Sequence, residues 1–248
     1  GILANDTYPA DFIYTNLQIQ NSLIHQSYVH NVEKAIFLGS SCIYPKHCPQ
    51  PMAEEHLLTG PLEPTNDPYA IAKIAGIEMC WAYNRQHRTK FIPVMHTNLY
   101  GPNDNFDLET SHVMAALIRK FHKAVQNNDK TVPIWGTGSP KREFLHVDDL
   151  ADACIFLINQ PEKALNYQAR PLLNIGTGQD LTIKSLAELI KKITGFSGQL
   201  VFDDSKPDGT PRKLLDVSRM NALGWQTQIS LEQGIRETYK WFENSFRR

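Results

Sequence analysis

Tyr69 and Lys73 stand four residues apart in Tyr69-Ala70-Ile71-Ala72-Lys73, which on a helix sets a phenol and an ammonium on one face. A phenol ordinarily titrates near pH ~10, and a neighbouring cation stabilises the phenolate and lowers that value. A phenol so tuned can give or take a proton at neutral pH, which oxidation or reduction at a carbinol carbon requires. The pair alone is a weak signal, because nine Tyr and fifteen Lys in 248 residues produce one Tyr-x-x-x-Lys about half the time by chance. Its setting adds Ser40 and Cys42 at the end of the apolar run Ala35-Ile36-Phe37-Leu38. Alternation along an extended segment aims both of those side chains the same way. Read by itself, a Cys at a strand end is a small buried hydrophobe and His112 a capping or surface residue; each could equally move protons near neutrality.

These groups need elements to hold them. Asn66-Asp67-Pro68 announces a helix over about 69–87, with Asp67 as N-cap and Pro68 in the first turn. That helix is apolar on more than one face (Ile71, Ile74, Ile77, Met79, Trp81), so it should be covered by a sheet on one side and by a second subunit on the other. Gly76 permits a close backbone approach there. Residues 1–10 read as a loop, and 11–30 as a helix. The runs 35–40 and 91–95 are continuously apolar, as parallel strands covered on both faces are. The second ends in His96-Thr97-Asn98-Leu99-Tyr100, where an α/β sheet presents loops to a ligand. Between them, 45–68 carries six of the fifteen prolines and should be a surface excursion. Later elements are a helix to about Val125, strands at 132–135 and 143–147, a helix to Ile158 capped by Asp148 or Asp149, a strand at 172–175, a helix at 183–193, a strand at 199–202 and a last helix from Leu231 to Phe242. The pattern is one α/β unit with a smaller, interleaved C-terminal lobe.

The net charge of −1 leaves no electrostatic footprint for nucleic acid. No apolar run approaches the ~20 residues that span a bilayer, and nothing reads as a signal peptide. Cys42, Cys48, Cys80 and Cys154 are irregularly spaced, which suits reduced thiols in a cytoplasmic protein better than a disulfide frame. Cys42, His47 and Cys48 lack a second pair at ligand spacing, so no metal site is expected.

Strand, hydroxyls, loop and a helix bearing Tyr and Lys resemble the Ser-Tyr-Lys arrangement of the extended short-chain dehydrogenase/reductase family. Five segments narrow the resemblance to its GDP-L-fucose synthase branch: Ser40-Ser41-Cys42-Ile43-Tyr44-Pro45, Asn66 to Lys73, Thr97 to Phe106, Arg142 to Asp149, and Lys206 to Lys213. The resemblance implies a Rossmann-like, doubly wound parallel sheet, N-terminally incomplete, with a smaller α/β substrate lobe. Residues 1–110 would be the remainder of the NADP-binding domain and 111–248 mainly the GDP-sugar lobe. It also implies epimerisation at C3 and C5 of GDP-4-keto-6-deoxy-D-mannose, then NADPH-dependent reduction at C4. Cys42 and His112 would move the epimerising protons. Tyr69 would protonate the alkoxide, with Lys73 lowering its pKa and holding the nicotinamide ribose, and Ser40 would hydrogen-bond the ketone. His96, Thr97, Asn98, Leu99 and His112 would line the cofactor. Trp135 would stack on the nucleotide, Lys120 and Arg142 would meet its diphosphate, and Asp208 would accept hydrogen bonds from it. Tyr44 should pack rather than react. A homodimer through helices 11–30 and 69–87 is implied as well.

Two departures stand out. His96 occupies a position where proline usually precedes Thr-Asn-Leu-Tyr-Gly, and a bulkier side chain there alters packing beside the nicotinamide. No Gly-x-x-Gly-x-x-Gly or Gly-x-Gly-x-x-Gly occurs; Gly136-Thr137-Gly138 and Gly176-Thr177-Gly178 read as tight turns. The chain starts in what resembles the middle of the nucleotide-binding half, about two βα units or ~60 residues in, so a fragment lacking its pyrophosphate cradle is expected. Two other readings remain open. Another nucleotide-sugar epimerase or dehydratase would keep Tyr69 and Lys73 without needing Cys42 and His112. A truncated, non-catalytic module would bind GDP but no cofactor.

Overall fold

The computed structural model describes residues 2–108, 110–206 and 208–245. In chain order the elements are α1 (Ile2–Thr7), α2 (Pro9–Val29), β1 (Ala35–Leu38), α3 (Asp67–His87), β2 (Phe91–His96), β3 (Asn98–Tyr100), α4 (Val113–Asn127), β4 (Thr131–Trp135), β5 (Lys141–Arg142), β6 (Phe144–His146), α5 (Val147–Asn159), β7 (Leu173–Ile175), β8 (Leu181–Thr182), α6 (Ile183–Thr194), β9 (Gln199–Asp203), β10 (Arg212–Lys213), α7 (Ser218–Leu223) and α8 (Leu231–Ser245).

β1, β2 and β7 form a parallel sheet in that order, with Ala35 opposite Phe91 and Val94 opposite Leu173. The first five residues of β2 are all buried, which is why the run is apolar without alternation. α3 covers this sheet closely: a Cβ on Gly76 would run into the Phe37 ring of β1, so only glycine lets the helix backbone sit there. α2 lies along α3, tied by Gln20 Nε2 to the Ala72 carbonyl (2.6 Å) and by His25 Nδ1 to the Tyr83 hydroxyl (2.7 Å). On the other side α5 closes a core of Ile92, Val94, Leu145, Leu150, Leu157 and Ile175. A separate core joins α4, β4, α6 and α8 through Phe121, Ile118, Ile134, Leu186, Ile190, Ile235 and Phe242. β3 pairs with β6, β4 with β9, and β5 lies between β10 and β8.

Local chemistry corrects several expectations. Residues 2–7 are helical rather than loop, and the helix breaks only before Pro9, whose ring cannot continue it. Asn66, not Asp67, is the N-cap of α3, with Asp67 and Pro68 inside its first turn. Neither Asp148 nor Asp149 caps α5. The Nδ1 of His146 accepts from the Asp148 amide (3.3 Å), while Asp149 accepts from the Gln228 and Ile229 amides (3.0 and 3.1 Å). As expected of tight turns, Gly136, Gly138 and Gly178 have positive φ.

The proline-rich excursion is not simply surface. Met52 is buried and pairs its backbone with the far end of the chain, Met52 N to Leu214 O (2.8 Å) and Asp216 N to Met52 O (2.9 Å). Asn174 locks this joint from β7. Its Nδ2 donates to the Met52 and Asp216 carbonyls (2.9 and 3.1 Å), its Oδ1 accepts from Tyr44 Oη (2.6 Å) and its N–H donates to Glu54 (2.8 Å). Tyr44 therefore packs and hydrogen-bonds, away from solvent. Asn174→Ala would strand buried groups that each cost about 1–3 kcal/mol unpaired. We expect a loss of about 3 kcal/mol or more and a drop in Tm on the order of 10 °C by calorimetry; a change within a degree would show the joint to be held elsewhere.

Candidate active site

The carboxyl end of β1 and the first two turns of α3 bring the candidate residues together, with the end of β2 beside them. Ser40 is extended (φ −161°, ψ 147°) and opens a single 3-10 turn, Ser41–Ile43, accepting from the Cys42 amide at 3.5 Å. Cys42 thus sits in a turn and not on the extended segment that alternation assumed, yet its buried thiol still meets the Ser40 hydroxyl. Tyr69, in the first turn of α3, brings its phenol to the same hydroxyl, with Phe12 of α2 packed edge-on at 6.0 Å. Lys73 lies one turn on. Its ammonium donates to the Leu38 carbonyl (3.1 Å) and stands 5.7 Å from the Tyr69 ring centroid. Ser40, Cys42, Tyr69 and Lys73 form one cluster.

The electrostatics differ from the expected pattern. Burial pushes the Tyr69 phenol up to about 12, Cys42 adds to this, and the Ser40 hydrogen bond opposes it. The phenol is therefore a held proton donor at neutral pH. Burial also raises the Cys42 thiol, against which Ser40, Lys213 and Lys73 act. Lys73 is held below its ordinary value by burial, with Cys42 opposing.

His96, at the end of β2, turns Nδ1 to the Thr97 carbonyl (2.8 Å); burial, with Lys73 nearby, lowers its pKa and keeps it neutral. Thr97 Oγ1 and Asn98 Nδ2 both donate to the Glu143 carbonyl (3.1 and 2.9 Å). Leu99, in β3, packs on the core beneath the sheet. His112 is the N-cap residue of α4, with no side-chain cap bond. Burial lowers its pKa and Asp104 opposes, so it is a neutral imidazole facing a carboxylate. The group set against it is Asp104, which the sequence reading did not single out.

A second cluster lies on the other lobe. Trp135, at the end of β4, is 61% exposed and has two ammonium groups near its ring, Lys120 at 5.2 Å and Lys206 at 5.7 Å from the centroid. Arg142 of β5 faces Asp208. The Asp208 carboxylate accepts from Thr137 N (2.7 Å) and Thr137 Oγ1 (2.8 Å), so it braces the 136–138 turn. Lys206 and Lys213 stand at the two ends of the Lys206 to Lys213 segment, and no periodicity in the sequence marks Lys213 as facing Cys42.

The NAD dependent epimerase/dehydratase family model matches residues 1–176. GDP-L-fucose synthase 1 of Arabidopsis thaliana is 58% identical over 98% of this chain and 73% of its own length. GDP-L-fucose synthase of Escherichia coli K12 is 56% identical over 98% of this chain and 76% of its own. The chain belongs to the GDP-L-fucose synthase branch of the NAD dependent epimerase/dehydratase family. A solved GDP-L-fucose synthetase of Naegleria fowleri, bound to NADP, superposes with a TM-score of 0.88 at 31% identity, over 96% of this chain and 74% of that one. The parallel sheet is thus the family's architecture.

Proposed function

We propose that this chain epimerises GDP-4-keto-6-deoxy-D-mannose at C3 and C5 and reduces the product at C4 to GDP-L-fucose, using NADPH. The observation that carries this is the meeting of a thiol, Cys42, with Ser40, Tyr69 and Lys73 in one cluster. A reductase alone needs only the hydroxyls and the lysine; a thiol that can take a proton adds epimerisation.

The residues present fit the nicotinamide half of NADP(H). Lys73 keeps ammonium protons beyond the one bound to Leu38, and His96, Thr97, Asn98 and Leu99 stand where a parallel sheet meets its dinucleotide. When bound, the cofactor supplies the hydride for C4. Cys42 and the neutral imidazole of His112 remove and return the protons beside the ketone. Ser40 hydrogen-bonds the ketone oxygen, and Tyr69, protonated through its raised pKa, donates to the oxygen as charge develops. Trp135 offers an open face to the base, Lys120, Lys206 and Arg142 offer charge to the diphosphate, and Asp208 orients Arg142. Residues 1–110 are the cofactor side and 111–248 mainly the sugar-nucleotide side in this reading.

Turnover of GDP-4-keto-6-deoxymannose with NADPH to GDP-L-fucose tests the proposal, and reduction without C3 and C5 inversion would reduce it to a 4-reductase. Trp135→Ala should raise KM for the GDP sugar about tenfold, the equivalent of roughly 1.4 kcal/mol, with kcat little changed; an unchanged KM would remove the stacking role. The reading extends to a homodimer. Ile19 and Leu23, four residues apart on α2, and Ile71 on α3 are exposed, apolar surface that a second copy would cover in a four-helix bundle. A monomeric mass at micromolar concentration by sedimentation would end that part. Four free thiols are the chemistry of a reducing compartment, which supports a cytoplasmic setting.

A further inference from the structure

Glu143 has both carboxylate oxygens engaged and, among the described residues, no ion-pair partner. It is fully buried. Oε2 accepts from the Leu215 amide (2.9 Å), and Oε1 accepts from the Gly178 amide (2.8 Å) and the Thr177 hydroxyl (3.3 Å). A Cβ on Gly176 would run into Oε1, so the turn after β7 is shaped around this carboxylate. The Glu143 carbonyl meanwhile accepts from Thr97 and Asn98. One residue therefore joins three strand ends: the end of β2, the turn after β7 and the chain just past β10.

The third of these matters for the thiol. Lys213 lies two residues before Leu215 and pairs in register with Arg142, the neighbour of Glu143. Lys213 and Cys42 line one small cavity with Lys46 and Glu63, which pair with each other at 3.0 Å. The groups facing Cys42 are Ser40, Tyr69, Lys73 and Lys213, and those facing Lys213 are Cys42, Arg142 and Glu63. Among the described residues Lys213 and Lys73 are thus the cations at the thiol, and the backbone two residues beyond Lys213 is pinned by Glu143 through the Leu215 amide.

We propose that Glu143 is a positioning residue that holds Lys213 opposite Cys42 while its carbonyl holds Thr97 and Asn98 at the end of β2. The chemistry demands a carboxylate. All three partners donate, so an amide would set an NH2 against an N–H, and Asp would fall one methylene short of spanning Gly178 and Leu215. The consequence for catalysis rests on the reading of Cys42 as an epimerising group, but the device itself does not.

The test is the pH dependence of iodoacetamide alkylation at Cys42, followed by peptide mass spectrometry without substrate. In Glu143→Gln the midpoint should move upward by roughly one unit, the scale of a displaced neighbouring cation. Lys213→Met should give the same shift, and the double variant no more than either alone. Where Glu143→Gln does not fold, Glu143→Asp must show the upward shift. An unchanged midpoint in a folded Glu143 variant, or in Lys213→Met, overturns the proposal. Because no sugar nucleotide is present, this outcome is independent of whether the chain turns over GDP-4-keto-6-deoxymannose. With substrate, Glu143→Gln should slow C3 and C5 exchange several-fold in kcat with KM unchanged.

Discussion

Tyr69→Phe should lower the rate of C4 reduction by roughly a hundred- to ten-thousand-fold, the range general acids contribute, while solvent deuterium still enters C3 and C5. The reason lies in the geometry. The phenol is pushed up to about 12 by burial, so at neutral pH it carries the proton that a developing alkoxide needs. Phe keeps the packing on Phe12 and removes only that proton and the hydrogen bond to Ser40. Stopped-flow oxidation of NADPH gives the reductive rate, and mass spectrometry of the recovered ketone gives the exchange. If reduction ran at the parent rate, the proton would be coming from another group and the central assignment would be wrong. Loss of both activities together would instead mean that Tyr69 is needed to bind the sugar.

Cys42→Ser should separate the steps in the opposite sense. A serine hydroxyl has the size of the thiol but is far less able to become an anion, so C3 and C5 exchange should fall by roughly a hundred- to ten-thousand-fold. Reduction of an already epimerised ketone should continue. The thiol is raised by burial and relieved by Ser40, Lys213 and Lys73, so exchange in the parent enzyme should increase with pH across the neutral range as the thiolate fraction grows. Persistence of exchange in Cys42→Ser would assign epimerisation to other groups and favour a 4-epimerase or dehydratase chemistry within the same fold.

Much of this was legible in order along the chain. The strands announce themselves as unbroken apolar runs, 35–38 and 91–95, although only the second is buried throughout while Leu38 is exposed, and Asn66-Asp67-Pro68 marks the start of α3 to within a residue. What local reading misjudged depends on partners far away. Asp149 looks like a helix cap until the amides of Gln228 and Ile229 claim it, and the excursion 45–68 looks like surface until Met52 pairs with Leu214 and Asp216. The surroundings of Tyr69 and Lys73 are of the same kind: i, i+4 spacing brings the ammonium near the ring, but the burial that pushes the phenol up to about 12 and the Leu38 carbonyl that the ammonium meets come from distant chain.

The order of residues alone determines the α/β class and the Tyr69-Lys73 face, because these follow from short-range spacing and from the period of apolar side chains. Only the tertiary structure brings Lys213 to Cys42, Asp104 to His112, Lys206 to Trp135 and Glu143 to three strand ends at once. Those meetings join residues up to 171 positions apart. No period or propensity encodes such a distance; it is settled by which faces can be buried together, and the charges then take their values from the low-dielectric space that burial creates.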